Sequence, residues 1–296
     1  LESWQYDDRF ITEEEYAEVM TTVVEACDRI SARTGEPFAP TYFELETTLA
    51  FVYMAQKKPD VFLLETGMGG KEDATNVVEH PLACVFTKIS MDHMQFLGES
   101  LTEIATQKAG IMKPGAWIFW GEQEPKVRDV LKENFNRVVR EGEKMGLETV
   151  RGDVYTRCIE FIDCTPEKIE FSYLGIEYET SMTGLYQMQN ATLAIAVFDA
   201  IWPKLLLGLQ NDMEYWNANN ESLVSWVDME YACKVGVAKA YWPGRFEILG
   251  TNPFFAIDGA HNEDAVRQLS ITIENRFTNQ PVNFIIGVLA DKAHEQ

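Results

Sequence analysis

The sequence predicts an α/β fold built on a mostly parallel sheet, and three observations carry that prediction. Short apolar segments at 60–64, 83–89 and 116–120 have the composition of strands buried on both faces of a parallel sheet. Amphipathic helical stretches alternate with them, several opening on Thr or Ser followed three residues later by Glu. The chain has 296 residues, more than one compact core usually holds, so two domains are expected.

Taken in order, Thr12 and Glu15 form a capping box at the start of a helix over 12–33. Along it Tyr16, Val19, Met20, Val23, Cys27 and Ile30 recur at helical spacing. A second helix opens after Pro40, with Thr41 and Glu44 as its capping box. The strands at 60–64, 83–89 and 116–120 follow, with a helix capped by Ser100 and Glu103 between the last two and a long charged helix over 124–145. From 149 to 180 the pattern turns to alternation, as in Cys158-Ile-Glu-Phe-Ile-Asp163, which predicts antiparallel strands appended to the parallel core. Helix returns at 185–201, and 203–241 has no clean period. Trp242-Pro-Gly-Arg245 punctuates the chain as a hinge, dividing it into residues 1–245 and 246–296. Beyond it, a strand at 254–257, a helix near 263–276 and a strand at 283–289 are expected to begin a new β-α-β unit.

Composition limits the partners. Hydrophobic content of 46% with 24% charged residues is ordinary for a soluble globular enzyme. No apolar run is long enough to span a bilayer, and the N-terminus lacks the basic-then-apolar pattern of a signal peptide. It also lacks an initiator Met, so the natural chain is expected to start upstream. Five scattered cysteines without a C-x-x-C pair suit a reducing, cytoplasmic setting. A formal charge of −22 argues against nucleic acid as a partner.

In open α/β sheets ligands gather at the carboxyl ends of the strands. Glu65 is placed at one such end, and Asp92 and His93 just past another; a carboxylate and an imidazole there can share a divalent cation. Singly, each has an ordinary reading, a turn cap for Glu65 and a loop histidine for His93. Lys108 falls inside the apolar stripe of its helix. Snorkelling to solvent is its default; held partly buried and neutral, its amine could take up carbon dioxide as a carbamate. The glycine-rich Glu65-Thr-Gly-Met-Gly-Gly-Lys71 is not a phosphate loop, because Glu65 stands five before Gly70 and Glu72 follows the lysine. Its glycines suit close approach of backbone to a ligand, and Asp73-Ala-Thr-Asn76 supplies polar side chains beside it.

These segments, together with Thr41-Tyr-Phe-Glu-Leu-Glu-Thr47, Phe96-Leu-Gly98 after Asp92-His93, Gln107-Lys-Ala-Gly-Ile111, Gly184-Leu-Tyr-Gln-Met-Gln-Asn190, Trp242-Pro-Gly-Arg245 and Asp258-Gly-Ala-His-Asn262, resemble the folylpolyglutamate synthase / dihydrofolate synthase family of the Mur-ligase group. The resemblance covers nearly all of the chain except 203–241. It implies a Mur-ligase-like central ATPase domain followed by the start of a Rossmann-like C-terminal domain. It also implies ATP-dependent addition of L-glutamate to dihydropteroate or folate through an acyl phosphate, by a monomer.

Position by position, the resemblance makes Glu65 and His93 magnesium ligands, and Lys108 a carbamylated lysine that helps position a second metal ion. Thr41, Tyr42, Phe43 and Glu44, with Glu72, Asp73 and Ala74, become pterin contacts. Asn190, Arg245 and Asp258 become ATP contacts, and His261 has a supporting catalytic role. Lys71 departs from the family's usual Arg, Glu72 from its usual apolar residue, and Glu44 has a second reading as the capping partner of Thr41. The family's Gly-Thr-Asn-Gly-Lys-Gly-Ser loop, which precedes the region where this chain begins, is not in the sequence. Two alternatives stand beside the ligase: another Mur-type amino-acid ligase, and a non-catalytic fragment or homologue without ATP turnover.

Overall fold

Local rules start the helices where the sequence places them. In the computed structural model, which describes residues 4–7, 9–212, 226–278 and 280–287, all three capping boxes form with both reciprocal hydrogen bonds. The chain divides into two compact units, Leu1–Glu79 and His80–Gln296.

The first unit pairs β1 (Gln5–Tyr6) with β2 (Arg9–Phe10) and packs α1 (Glu13–Thr34) against α2 (Tyr42–Lys57). Val19 and Val23, four apart on α1, meet Leu49 and Tyr53, four apart on α2, in a core closed by Trp4 and Ile11. α1 ends on Gly35 at φ 78, a left-handed position that glycine takes without a Cβ clash. At the edge of this core Glu15 gathers Lys57 (2.6 Å) and Arg9 (3.1 Å), and the Lys57 ammonium lies 5.3 Å from the centre of the Tyr53 ring.

The segment 60–64 corrects one expectation. It joins no strand among the described residues, and Leu63 is 92% exposed. Its apolar composition predicts a strand, yet a strand exists only by the ladder it joins, and none forms here.

In the second unit, β3 (Ala83–Phe86), β4 (Trp117–Trp120) and β5 (Val150–Arg151) form a parallel sheet in that order. The crossovers carry α3 (Met94–Leu97) and α4 (Leu101–Ala109), then α5 (Pro125–Met145). Ile104, Ala105 and Ala109 of α4 meet Val127, Leu131 and Val138 of α5 in the same core as Ile118 and Trp120. β6 (Ile159–Cys164), β7 (Ile169–Tyr173) and β8 (Ile176–Thr180) form the expected antiparallel meander. The β7–β8 turn is made by Leu174 (φ 54) and Gly175 (φ 80), both left-handed. α6 (Gln187–Asp212) and α7 (Trp226–Lys239) supply Ile195 and Cys233 to the core over Phe171 and Tyr178, and α6 also packs against β3 and β4. α6 runs further than the expected 201, and α7 gives structure to a stretch with no readable period; residues 213–225 lie outside the described residues.

After the Trp242–Arg245 punctuation, β9 (Glu247–Thr251) and β10 (Phe254–Ile257) form an antiparallel hairpin leading to α8 (Glu263–Arg276), capped by Asn262. The strand at 254–257 and the helix were expected; β9 was not. Residues 283–287 are exposed and unpaired rather than a strand, with Ile285 95% exposed, and 288–289 lie outside the described residues. β10 is paired to β9, and no ladder runs along 283–287, so among the described residues the expected third element of the β-α-β unit does not form. No helix among the described residues is long and apolar enough to cross a membrane.

The Glu15 cluster sets a pH dependence. The Lys57 hydrogen bond, with the Thr12 N–H, lowers the Glu15 carboxyl from 4.5 to about 2. A depressed folded-state value means that its contribution is complete above about pH 4.5 and drains away as pH falls towards 2. Melting curves of the protein and of Glu15→Gln should therefore differ at neutral pH and converge across that window.

Candidate functional site

In the first unit the loop from Glu65 to Val77 is ordered by one side chain. Asp73 accepts from the Met68 N–H (2.7 Å) with one oxygen, and from the Thr75 N–H (3.0 Å) and hydroxyl (2.6 Å) with the other. This caps a single 3-10 turn over Ala74–Val77. Asn76 closes the loop by donating to the Lys71 carbonyl (2.9 Å). Gly69 sits at φ 71. Gly67 is required for a different reason: a Cβ there would lie 2.1 Å from the Phe43 ring. The loop therefore lies directly on the first turn of α2, bringing together the two segments expected to contact a pterin. Tyr42 is exposed beside Phe43.

Thr41 and Glu44 are engaged with each other. The Glu44 carboxylate accepts from the Thr41 N–H (2.8 Å) and hydroxyl (2.8 Å), which lowers its pKa, and its own N–H donates to the Thr41 hydroxyl (3.3 Å). Capping thus accounts for both polar side chains, while the aromatic rings of Tyr42 and Phe43 remain available. Glu72 is exposed, 3.5 Å from the Lys71 ammonium, and Glu65 is exposed.

In the second unit, His93 follows β3 at φ 50, ψ 36, left-handed backbone that non-glycine residues seldom adopt. Its N–H donates to Asp92 (2.8 Å), and its ring is exposed. Lys108 is half-buried on α4, between the fully buried Ile104 and Ala109. Asn190 is exposed on the first turn of α6 and donates to Gln187 (2.9 Å).

Asp258 accepts from three donors: the Tyr186 hydroxyl (3.0 Å) and the Phe246 N–H (2.8 Å) on one oxygen and the Ala260 N–H (2.8 Å) on the other. Burial, and Asp258 itself, push the Tyr186 phenol upward, so it stays a donor. Arg245 is exposed and lines a cleft of about 530 Å³ with Tyr241, Trp242 and Thr183. The His261 Nδ1 lies 2.8 Å from the Gly259 carbonyl, and its Nε2 is 3.7 Å from Asp92.

The structure thus gathers His93, Asp258, His261 and Arg245 around the loop after β3 and the Asp258–Asn262 stretch. Asn262, Lys88 and Asp264, which join this gathering, were given no role from sequence. Asn262 donates to Asp92 (3.0 Å), and Lys88 pairs with Asp264. The one signal for them was that Asn262 stands at a helix start. Among the described residues no three His, Cys, Asp or Glu side chains converge as a metal cluster.

Ionisable groups past the end of a parallel strand, hydrogen-bonded to a following α/β segment, place this among open-sheet α/β folds, which bind ligands at their strand ends. The chain belongs to the Mur ligase family, whose middle domain matches residues 9–198. Its motifs' resemblance to folylpolyglutamate and dihydrofolate synthases is borne out by its relatives. It is 34% identical over 295 residues to a dihydrofolate synthase/folylpolyglutamate synthase of Bacillus subtilis, covering 96% of this chain and 61% of that protein. The apo form of Lacticaseibacillus casei FPGS superposes with a TM-score of 0.71 at 26% identity, covering 94% of this chain and 62% of that one. An FPGS complex with AMPPCP and folate gives 0.69 at 26% identity, covering 90% and 59%. The chain therefore spans about three-fifths of the length of these relatives.

Asp73→Ala should release the 65–77 loop by removing three acceptor contacts, an opening of about 2–3 kcal/mol. Hydrogen exchange should rise across 66–76 while α4 and α5 keep their protection; unchanged exchange in the loop would refute the ordering role.

Proposed function

We propose that this chain is part of an ATP-dependent ligase that joins L-glutamate to dihydropteroate or a folate. The observation that carries this reading is the meeting of the two expected pterin segments, with the Phe43 ring seated on Gly67 and the Asp73 loop closed over the start of α2. The solved FPGS complex with AMPPCP and folate, at 26% identity, supports the same ligand classes. Tyr42, Phe43 and the backbone of Glu72, Asp73 and Ala74 would hold the pterin ring, with Thr41 and Glu44 fixing the helix start beneath it.

In the reaction a substrate carboxylate oxygen attacks the γ-phosphorus of ATP and ADP leaves. The glutamate amine then attacks the acyl phosphate, loses a proton and displaces phosphate as the amide forms. Arg245, exposed on its cleft, and Asn190 would bind the nucleotide. Asp258 would act through the loop it orders with its three accepted bonds, and His261 would assist from the same loop.

Glu65 presents an exposed carboxylate of the type Mg2+ prefers, and His93 an exposed imidazole, a less usual ligand for that ion that this reading takes from the resemblance. When bound, Mg2+ would offset charge on the transferring phosphoryl group. Half-buried Lys108 would serve as its carbamate, formed when the amine nitrogen adds to carbon dioxide and loses a proton. Residues 1–245 form the central domain in this reading and 246–296 the start of the C-terminal domain, in a monomeric cytoplasmic enzyme.

The test is the full-length protein with ATP, Mg2+, labelled glutamate and either dihydropteroate or a reduced folate. Glutamylated product with stoichiometric ADP is expected; product with other amino acids only, or none at all, would overturn the reading. Gly67→Ala should raise KM for the folate about tenfold by displacing Phe43, with kcat little changed. Lys108→Ala should cut kcat by roughly a hundredfold or more while the melting temperature holds. A carbamate carbon should appear by NMR with labelled bicarbonate in the parent and vanish in the variant.

A further inference from the structure

Asp92 is bonded on two sides, and neither bond belongs to the roles assigned above. Its Oδ1 accepts from the His93 N–H (2.8 Å), which steadies the left-handed residue that opens α3. A purely local cap would need no more than that. Its Oδ2 accepts from the side-chain amide of Asn262 (3.0 Å), 170 residues away.

Asn262 is placed for this contact by its other half. Its Oδ1 accepts from the Ala265 N–H (2.9 Å) as the N-cap of α8, which turns the NH2 group toward Asp92. The rings of His93 and His261 both approach the same oxygen, with Nε2 atoms at 4.0 and 3.7 Å. The same two segments meet a second time where Lys88, ahead of Asp92, pairs with Asp264, just after Asn262. The contact is only partly open to water, with the Asp92 side chain 22% exposed.

We propose that Asp92 is a positioning residue for the ligase reaction, locking the loop after β3 to the start of α8 so that His93 and the Asp258–His261 loop share one geometry. This rests on the ligase reading above. Geometry of this kind is costly to lose, because a displacement of about 1 Å in a reacting site can lower a rate on the order of a hundredfold. The folate-contacting segments at 41–44 and 72–74 take no part in the lock, so its loss should show in kcat rather than in KM for the folate.

The test is a polarity swap in the full-length protein. Asp92→Asn keeps an acceptor for the His93 N–H but sets an NH2 group against that of Asn262. Asn262→Asp keeps the helix cap but sets carboxylate against carboxylate. The double variant restores a donor–acceptor pair with its direction reversed.

Each single variant should lower kcat about tenfold, leave KM for the folate unchanged, and lower the melting temperature measured without ATP or Mg2+. The double variant should recover most of both losses. If Asp92→Asn keeps kcat within about twofold, or the double variant is no better than the worse single one, the proposal is overturned. A parent protein with no ligase turnover would sink the ligase reading instead, while the substrate-free melting cycle would still decide whether Asp92 and Asn262 are coupled.

Discussion

Asp258 accepts hydrogen bonds from three stretches of chain, and the end of the second unit depends on it. The donors are the Tyr186 phenol at the start of α6 and the backbone N–H groups of Phe246 and Ala260. Phe246 stands at φ 52, a conformation that a bulky residue resists unless its surroundings fix it. Around this carboxylate the Gly259 N–H donates to the Gly244 carbonyl (2.7 Å), and the Thr183 hydroxyl to that of Phe246 (3.2 Å). Arg276, at the far end of α8, reaches the carbonyls of Thr183 and Thr165. A seam built of directed bonds has one good register, whereas an apolar seam can slide. That register sets where Arg245 and His261 stand.

What could be read from sequence was what is decided locally. Capping boxes act over three residues, so α1, α2 and α4 were legible with their starting residues; helical stripes act over four, so the run of α5 was legible too. The meander was legible because alternation is a property of each strand alone. The segment at 60–64 shows the opposite case: its apolar residues announce a strand, but pairing is a relation to another segment that composition does not contain. β9 was missed because Glu247 and Gly250 interrupt the expected pattern, and its strand character comes from pairing with β10.

The site divides in the same way. The resemblance placed Phe43 and the 65–76 loop in one function, and the structure supplies the contact between them through Gly67. Glu44 turned out to be committed to Thr41, as its capping pattern allowed. Asp92 was visible as an acid at a strand end, but its partner Asn262 carries no mark in the sequence beyond a helix start. Long-range polar pairs of this kind leave no periodic trace, which is why the sequence suggested the ligands more readily than what holds them.

The two-residue turn at Leu174-Gly175 has a consequence in time. It closes the β7–β8 hairpin across neighbouring residues, so these strands can meet at little cost in loop entropy. Arg276 and Thr165, by contrast, are 111 residues apart, and Asp92 and Asn262 are 170 apart. Contacts that span such lengths are slow to find and gain from a scaffold already in place. The meander is therefore suited to fold early, as a surface on which α6 and α7 can dock, while the polar seam that arranges the site closes last.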